Sequence, residues 1–149
     1  RLPQPKPEIM GLLLTPPPKE REPFIDFNLK LFKTITGPRF GMDEQWVRQI
    51  MGRAYDRSFY PQGEARQLLA ILTQPNRQPA LKGVKVPTLI IHGDADPLVS
   101  VEGGKDAAEA VPGAQLKIIE GMGHDLPHGE AWAQIAKDII AHTKRPGVD

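Results

Sequence analysis

Two short stretches hold the residues best suited to chemistry. "HGDADPL" at 92–98 places two aspartates and a histidine directly after the apolar run "VPTLII". "GMGHDLP" at 121–127 places a histidine between a glycine and an aspartate directly after "AQLKIIE". A carboxylate facing a histidine can act as the base half of a catalytic triad: the acid fixes the imidazole tautomer, and the imidazole moves the proton. Asp94 and Asp96 are both candidates for the acid, and His124 for the base. The plainer alternative is a turn aspartate beside an exposed histidine. A DxD spacing also occurs in calcium loops, but the later glycine and glutamate of that pattern are absent, so no metal is expected.

The elements needed to bring these stretches together are readable. "VKVPTLIIHG" is a continuous apolar run of strand length, which predicts a strand buried on both faces, as in a parallel sheet. Ser100 can cap a helix over "VEGGKDAAEAV", and "PG" at 112–113 ends it. "AQLKIIEG" predicts the next strand. "GEAWAQIAKDIIAHTKR" predicts a final helix, with Asp125 as its cap and with Lys144 and Arg145 at its C-terminus. Strand, helix, strand, helix makes a βαβ unit plus one helix. Ligands gather beyond the carboxyl ends of strands in such sheets, where both stretches lie. His92 at the strand end reads as structural and His128 as exposed.

The first half is different. "PEIMGLLLT", "EPFIDFNLKLFKTIT", "MDEQWVRQIMGRAYDRS" and "GEARQLLAILTQ" are amphipathic helices punctuated by proline and glycine. The second has Phe24, Phe27 or Asn28, Leu31 and Ile35 on its stripe. The third has Asp43 as N-cap and the stripe Trp46, Val47, Ile50, Met51, Ala54 and Tyr55. The fourth has Ala65, Leu68, Leu69 and Leu72.

Bulk properties narrow the function classes. The chain has 149 residues, a formal net charge of +1 and 25% charged residues, which gives no reason to expect a nucleic-acid partner or a charged membrane surface. No cysteine is present, so thiolate nucleophiles, disulfides and zinc–cysteine sites are excluded. No apolar run approaches a membrane span, and no signal-peptide pattern is visible. A cytoplasmic location is the expectation. The first residue is Arg1, which suggests a processed or truncated product.

"VPTLIIHGDADPLVSVEGGKDAAEAVPGAQLKIIEGMGHDLP" resembles the C-terminal part of the α/β-hydrolase fold. In that family an apolar strand leads to H-G-x-x-D, whose last aspartate is the triad acid, and a helix and second strand lead to G-x-G-H with the triad histidine. The resemblance therefore implies Asp96 as acid, His124 as base and Asp94 as a turn residue. It implies an α/β fold: residues 83–149 as the C-terminal part of the hydrolase core, a parallel βαβ unit plus helix, and residues 1–82 as an all-helical cap or lid. "RAYDRSFYP" and "ARQLLAIL" resemble the aclacinomycin methylesterase-like esterases. No cofactor is implied. Met122 in the "GMGH" loop, with Trp46 and Phe24 of the cap, are candidate substrate-binding residues, although core packing is the default reading of each aromatic.

One part of the family pattern is missing. The nucleophile elbow G-x-S-x-G does not occur, and the only serines are Ser58 and Ser100, neither flanked by glycines. The expectation is a fragment of a serine hydrolase acting on a small-molecule carboxylic ester, with acid, histidine and cap present and the nucleophile outside the chain. The chain alone would then be inactive, and it would pair with the N-terminal half of the same hydrolase or self-associate. The alternatives are an aspartate-nucleophile hydrolase of the same fold, such as a dehalogenase or epoxide hydrolase, and a non-catalytic self-associating fragment.

Overall fold

A computed structural model describes residues 5–125 and 131–145. Helices come first: α1 (Pro7–Leu14), α2 (Arg21–Ile35), α3 (Glu44–Arg57), α4 (Pro61–Leu72) and a single turn, α5 (Gln78–Leu81). They are followed by β1 (Leu89–Gly93), α6 (Val101–Ala110), β2 (Gln115–Ile119) and α7 (Ala131–Thr143). Among the described residues the sheet has two strands, β1 and β2, paired in parallel with Leu89 opposite Gln115 and Gly93 opposite Ile119. Helix α6 packs on both strands and α7 on β1. This register brings the two strand ends level, so the loops after Gly93 and Ile119 emerge side by side.

Local signals account for the helix ends. Pro7 and Pro61 occupy first-turn positions, where a missing N–H costs nothing. Asp43 accepts from the Trp46 N–H at 2.9 Å, a cap worth about 1 kcal/mol. Ser100 accepts from the Glu102 N–H at 3.3 Å and starts α6. Gly113 takes φ +75° in the turn between α6 and β2, a conformation that favours glycine.

Helices α2 and α3 form an antiparallel pair. The cross-helix ion pairs Arg21–Asp56, Arg48–Asp26 and Lys33–Glu44 run in opposite chain directions along the two helices. Being exposed, they orient the pair more than they stabilise it. The seam buries Phe24, Ile25 and Leu29 of α2 and Val47 of α3. The α2 stripe is borne out in part: Phe24 and Ile35 are buried as expected and Ile25 and Leu29 join them, whereas Phe27 and Leu31 are only half-buried. Phe24 stacks in a cluster with Tyr55 and Phe59, at centroid distances of 5.4 and 5.7 Å.

Two further expectations need correction. The α4 stripe is not buried: Leu69 is 60% and Leu72 59% exposed, and no residue of α4 is buried. Strand β1 is not covered on both faces, since Leu89–His92 are half-buried and only Gly93 is buried. Each strand has a single neighbour among the described residues, so one edge of β1 and one of β2 remain unpaired. The strand also begins at Leu89, not at Val84 where the apolar run starts, because Pro87 has no N–H to give to a ladder. None of the described helices is long and apolar enough to cross a membrane.

Candidate active site

The loop after β1 is wound around the Asp96 carboxylate. Its Oδ1 accepts from the Leu98 and Val99 N–H groups, both at 2.8 Å. Its Oδ2 lies 2.8 Å from Nδ1 of His124. The Asp96 side chain is only 5% exposed, while that of His124 is 40% exposed. Because the partner is a carboxylate, Nδ1 carries the proton and donates, which leaves the Nε2 lone pair as the available base.

Electrostatics follow from these contacts. Burial pushes the Asp96 carboxyl upward, but the hydrogen bonds from His124, Val99 and Leu98 together outweigh it and hold the group below the usual carboxylate range. The hydrogen bond to Asp96 raises His124 above its ordinary value; partial burial opposes this, and the charges of Asp96 and Asp125 add to it. The pair therefore favours carboxylate with imidazolium once a proton is available.

The loop after β2 is held from two sides. From the β1 side, Asp94 Oδ1 accepts from the Gly121 N–H at 2.6 Å, the Asp94 N–H donates to Ile119 O at 3.2 Å, and the Ala95 N–H donates to Met122 O at 3.0 Å. From the α2 side, the His124 N–H donates to Ile35 O at 2.9 Å and the Arg39 N–H to Gly121 O at 3.2 Å. Asp94 thus joins the two strand-end loops, while Asp96 holds the imidazole. Gly93, Gly37 and Gly123 let three backbone segments touch: a Cβ on Gly93 would run into Met122 and Gly123, and one on Gly123 into Ile35 and Gly37. In the amino-acid sequence these glycines read only as punctuation between elements. A glycine at a strand end was the available signal.

His92 has a structural contact. Its Nε2 donates to Val99 O at 2.9 Å and lies 3.6 Å from Asp96 Oδ2, and its ring packs where a Cβ on Gly104 would stand. It braces the same acid loop. Ser100 caps α6, Ser58 ends α3, and the described hydrogen bond of the His124 ring is to Asp96. His128 lies outside the described residues, as does the segment 126–130 between Asp125, the expected cap, and α7. Among the described residues no group of three or more potential metal ligands occurs.

A cavity of about 310 Å³ adjoins the histidine loop, with Trp46, Met122, Phe40, Met42 and Trp132 in its wall. The structure thus brings Met122 and Trp46 together in one wall, and Met122 and Asp125 belong to the loop that carries His124, which is not itself a lining residue. Phe24 is instead buried in its aromatic cluster and does not line this cavity.

Comparison with known proteins fits this geometry. Residues 60–131 match the family model described as serine aminopeptidase, S33. The chain is 31% identical over 142 residues to a bifunctional esterase/perhydrolase of Acinetobacter calcoaceticus, covering 81% of this chain and 48% of that protein. It is 26% identical over 139 residues to rhodomycin D methylesterase of Streptomyces sp. (strain C5), covering 91% of this chain and 45% of that protein. The chain therefore spans about half the length of these curated relatives. Among solved structures, an esterase from a Rhodococcus species superposes with a TM-score of 0.67 at 19% identity, over 97% of this chain and 49% of that one. The fold is that of the C-terminal part of an α/β-hydrolase, and the resemblance to esterases and methylesterases read from the sequence holds.

Proposed function

We propose that these residues supply the acid and the base of a serine hydrolase acting on carboxylic esters. In this reading residues 1–82 form the cap that gates the substrate, residues 83–149 form the C-terminal part of the core, and the nucleophilic serine lies outside these 149 residues. The observation that carries it is the 2.8 Å contact between the Asp96 carboxylate, its side chain 5% exposed, and a half-open His124. The serine oxygen attacks the ester carbonyl carbon while His124 Nε2 takes the hydroxyl proton. Asp96 stabilises the imidazolium, and the tetrahedral oxyanion collapses to the acyl-enzyme. The departing alkoxide takes the proton back from Nε2, and water releases the acid by the same relay. In an aspartate-nucleophile hydrolase the same pair would activate only the water. The esterase and methylesterase relatives favour serine.

The pH dependence of ester turnover tests this reading. The base must be neutral, and His124 is raised above the ordinary histidine value of about 6.5. For the parent protein, which joins this chain to the nucleophile, kcat/KM for p-nitrophenyl acetate should fall on acidification with a midpoint above about 6.5. A flat profile across pH 5–8 would overturn the assignment. Stability has a different window. The raised histidine contributes stability that is complete below about 6.5 and lost as pH rises through its folded value. The depressed aspartate contributes stability present above about 3.9 and lost as pH falls through its folded value.

The unpaired edges of β1 and β2 bear on partners. Open strand edges template pairing with another chain. We expect the chain to associate through them, either with the nucleophile-bearing part of the hydrolase or with a second copy. Light scattering on the chain alone should give a mass above the 16.5 kDa of one copy, and a single species at that mass would refute the expectation.

A further inference from the structure

The loop that carries Asp96 is closed across its neck by a side chain outside the acid–base pair. The chain leaves β1 at Gly93 and reaches Ser100, the cap of α6, directly after Val99. His92 stands one residue before the exit, and its Nε2 lies 2.9 Å from Val99 O. A carbonyl only accepts, so Nε2 carries the proton and donates. The near side of the loop is bonded elsewhere, Asp94 to Ile119 and Ala95 to Met122. On the far side, the bonds from the Leu98 and Val99 N–H groups to Asp96 Oδ1 lie within the loop; they shape it without fixing it to the strand. Among the described residues, that far side is tied outward by the Lys6 N–H to Pro97 O, long at 3.3 Å, and by His92 to Val99 O. The His92 ring is held from its other edge by α6. Gly104 leaves room for it there, since a Cβ on Gly104 would stand 2.7 Å from Nδ1. His92 Nε2 is also 3.6 Å from Asp96 Oδ2, too long for a hydrogen bond but beside the oxygen that meets His124 Nδ1 at 2.8 Å.

We infer that His92 is a positioning residue for the hydrolysis: by stapling Val99 to β1 it keeps Asp96 Oδ2 in line with His124, and so keeps the His124 proton on Nδ1. The effect on turnover rests on the hydrolase reading above; the effect on the imidazole tautomer does not. Only the Nδ1-protonated tautomer leaves a lone pair on Nε2 to act as base, and a neutral imidazole without the carboxylate holds its proton on either nitrogen. A misplacement of about 1 Å in such a group costs on the order of 10²-fold in rate. His92 acts through Asp96, so its loss falls on the chemical steps and not on substrate affinity.

Three substitutions in the parent protein test this. His92→Gln keeps an amide N–H at the position of Nε2. His92→Asn puts its amide at the position of Nδ1, too short to reach Val99 O, and His92→Phe keeps a ring without the donor. The last two should each lower kcat for p-nitrophenyl acetate by about 10–100-fold with KM within about 3-fold, whereas His92→Gln should keep kcat within about 3-fold. Nitrogen NMR shifts of the His124 ring at alkaline pH, where the imidazole is neutral, report its tautomer. The Nδ1-protonated form should dominate in the unsubstituted protein and in His92→Gln, and both tautomers should be present in His92→Asn and His92→Phe. A residue that served only stability would lower the urea midpoint and leave the tautomer of the folded molecule unchanged. Unchanged kcat, an unchanged tautomer, a His92→Gln variant as impaired as His92→Phe, or failure of both donor-less variants to fold would each overturn the inference. Failure of the hydrolase reading looks different: the tautomer shifts as stated, with turnover indifferent to His124→Ala.

Discussion

Replacing Asp96 with asparagine should lower kcat of the parent hydrolase by about 10⁴-fold, the loss seen when a triad aspartate is so changed in a well-studied serine protease. The reason lies in the contacts. An asparagine amide can still accept at the position of Oδ1, from the Leu98 and Val99 N–H groups, so the loop keeps its shape. At the position of Oδ2 it can present N–H to the ring, which forces the His124 proton onto Nε2 and removes the base. Asp94→Asn is the matched control. Its Oδ1 accepts from the Gly121 N–H, and an amide oxygen can do the same. A loss below about 10-fold is expected, because the charge at Asp94 does not meet the imidazole. The two substitutions remove the same charge two positions apart, so steady-state kinetics with circular dichroism as a folding check separates their roles. Equal losses would mean that the acid is assigned to the wrong aspartate.

The second large effect is structural. Gly123→Ala should destabilise the fold by more than about 3 kcal/mol. Its Cβ would stand inside contact distance of backbone atoms of Ile35, Thr36 and Gly37, and backbone cannot step aside as a flexible side chain can. Relief would have to move the loop that carries His124 away from the 35–39 segment, breaking the His124–Ile35 hydrogen bond. Against a typical total of about 5–15 kcal/mol, that is a large fraction. Gly11→Ala is the opposite case, a helix position with nothing near its Cβ, and should raise stability by about 0.5–1 kcal/mol. Urea denaturation of both variants measures the contrast. A Gly123→Ala midpoint equal to the unsubstituted chain's would show that the clasp is not as tight as its geometry.

These two effects mark what was and was not legible in the amino-acid sequence. The two loops that meet beyond the strand ends were readable because ionisable residues follow apolar strand-length runs, and Asp43 and Ser100 were readable as caps because capping is local. The choice between Asp94 and Asp96 was not available from spacing alone and came from the family resemblance. The clasp of Gly37, Gly93 and Gly123 joins segments far apart in the chain, and a glycine at a strand end signals a close approach without naming the partner. The α2 stripe was legible only in part for a related reason: Phe24 and Ile35 are buried as expected, but Ile25 and Leu29 are buried too, and with two overlapping apolar faces the antiparallel α3 decides which one is covered. In α4 the amphipathic pattern is real, but no described element covers its leucines. Periodicity reports the face a helix offers, not whether anything meets it.

The central claim is that Asp96 and His124 act as one relay. A double-mutant cycle on kcat/KM for p-nitrophenyl acetate tests it most directly, using His124→Ala, Asp96→Asn and the pair in the parent protein. The expected result is a loss of about 10⁴-fold or more for His124→Ala, with the double variant no more than a few-fold worse than that single variant, because a carboxylate has nothing to orient once the imidazole is gone. Unchanged turnover in His124→Ala, or losses that multiply in the double variant, would contradict the account.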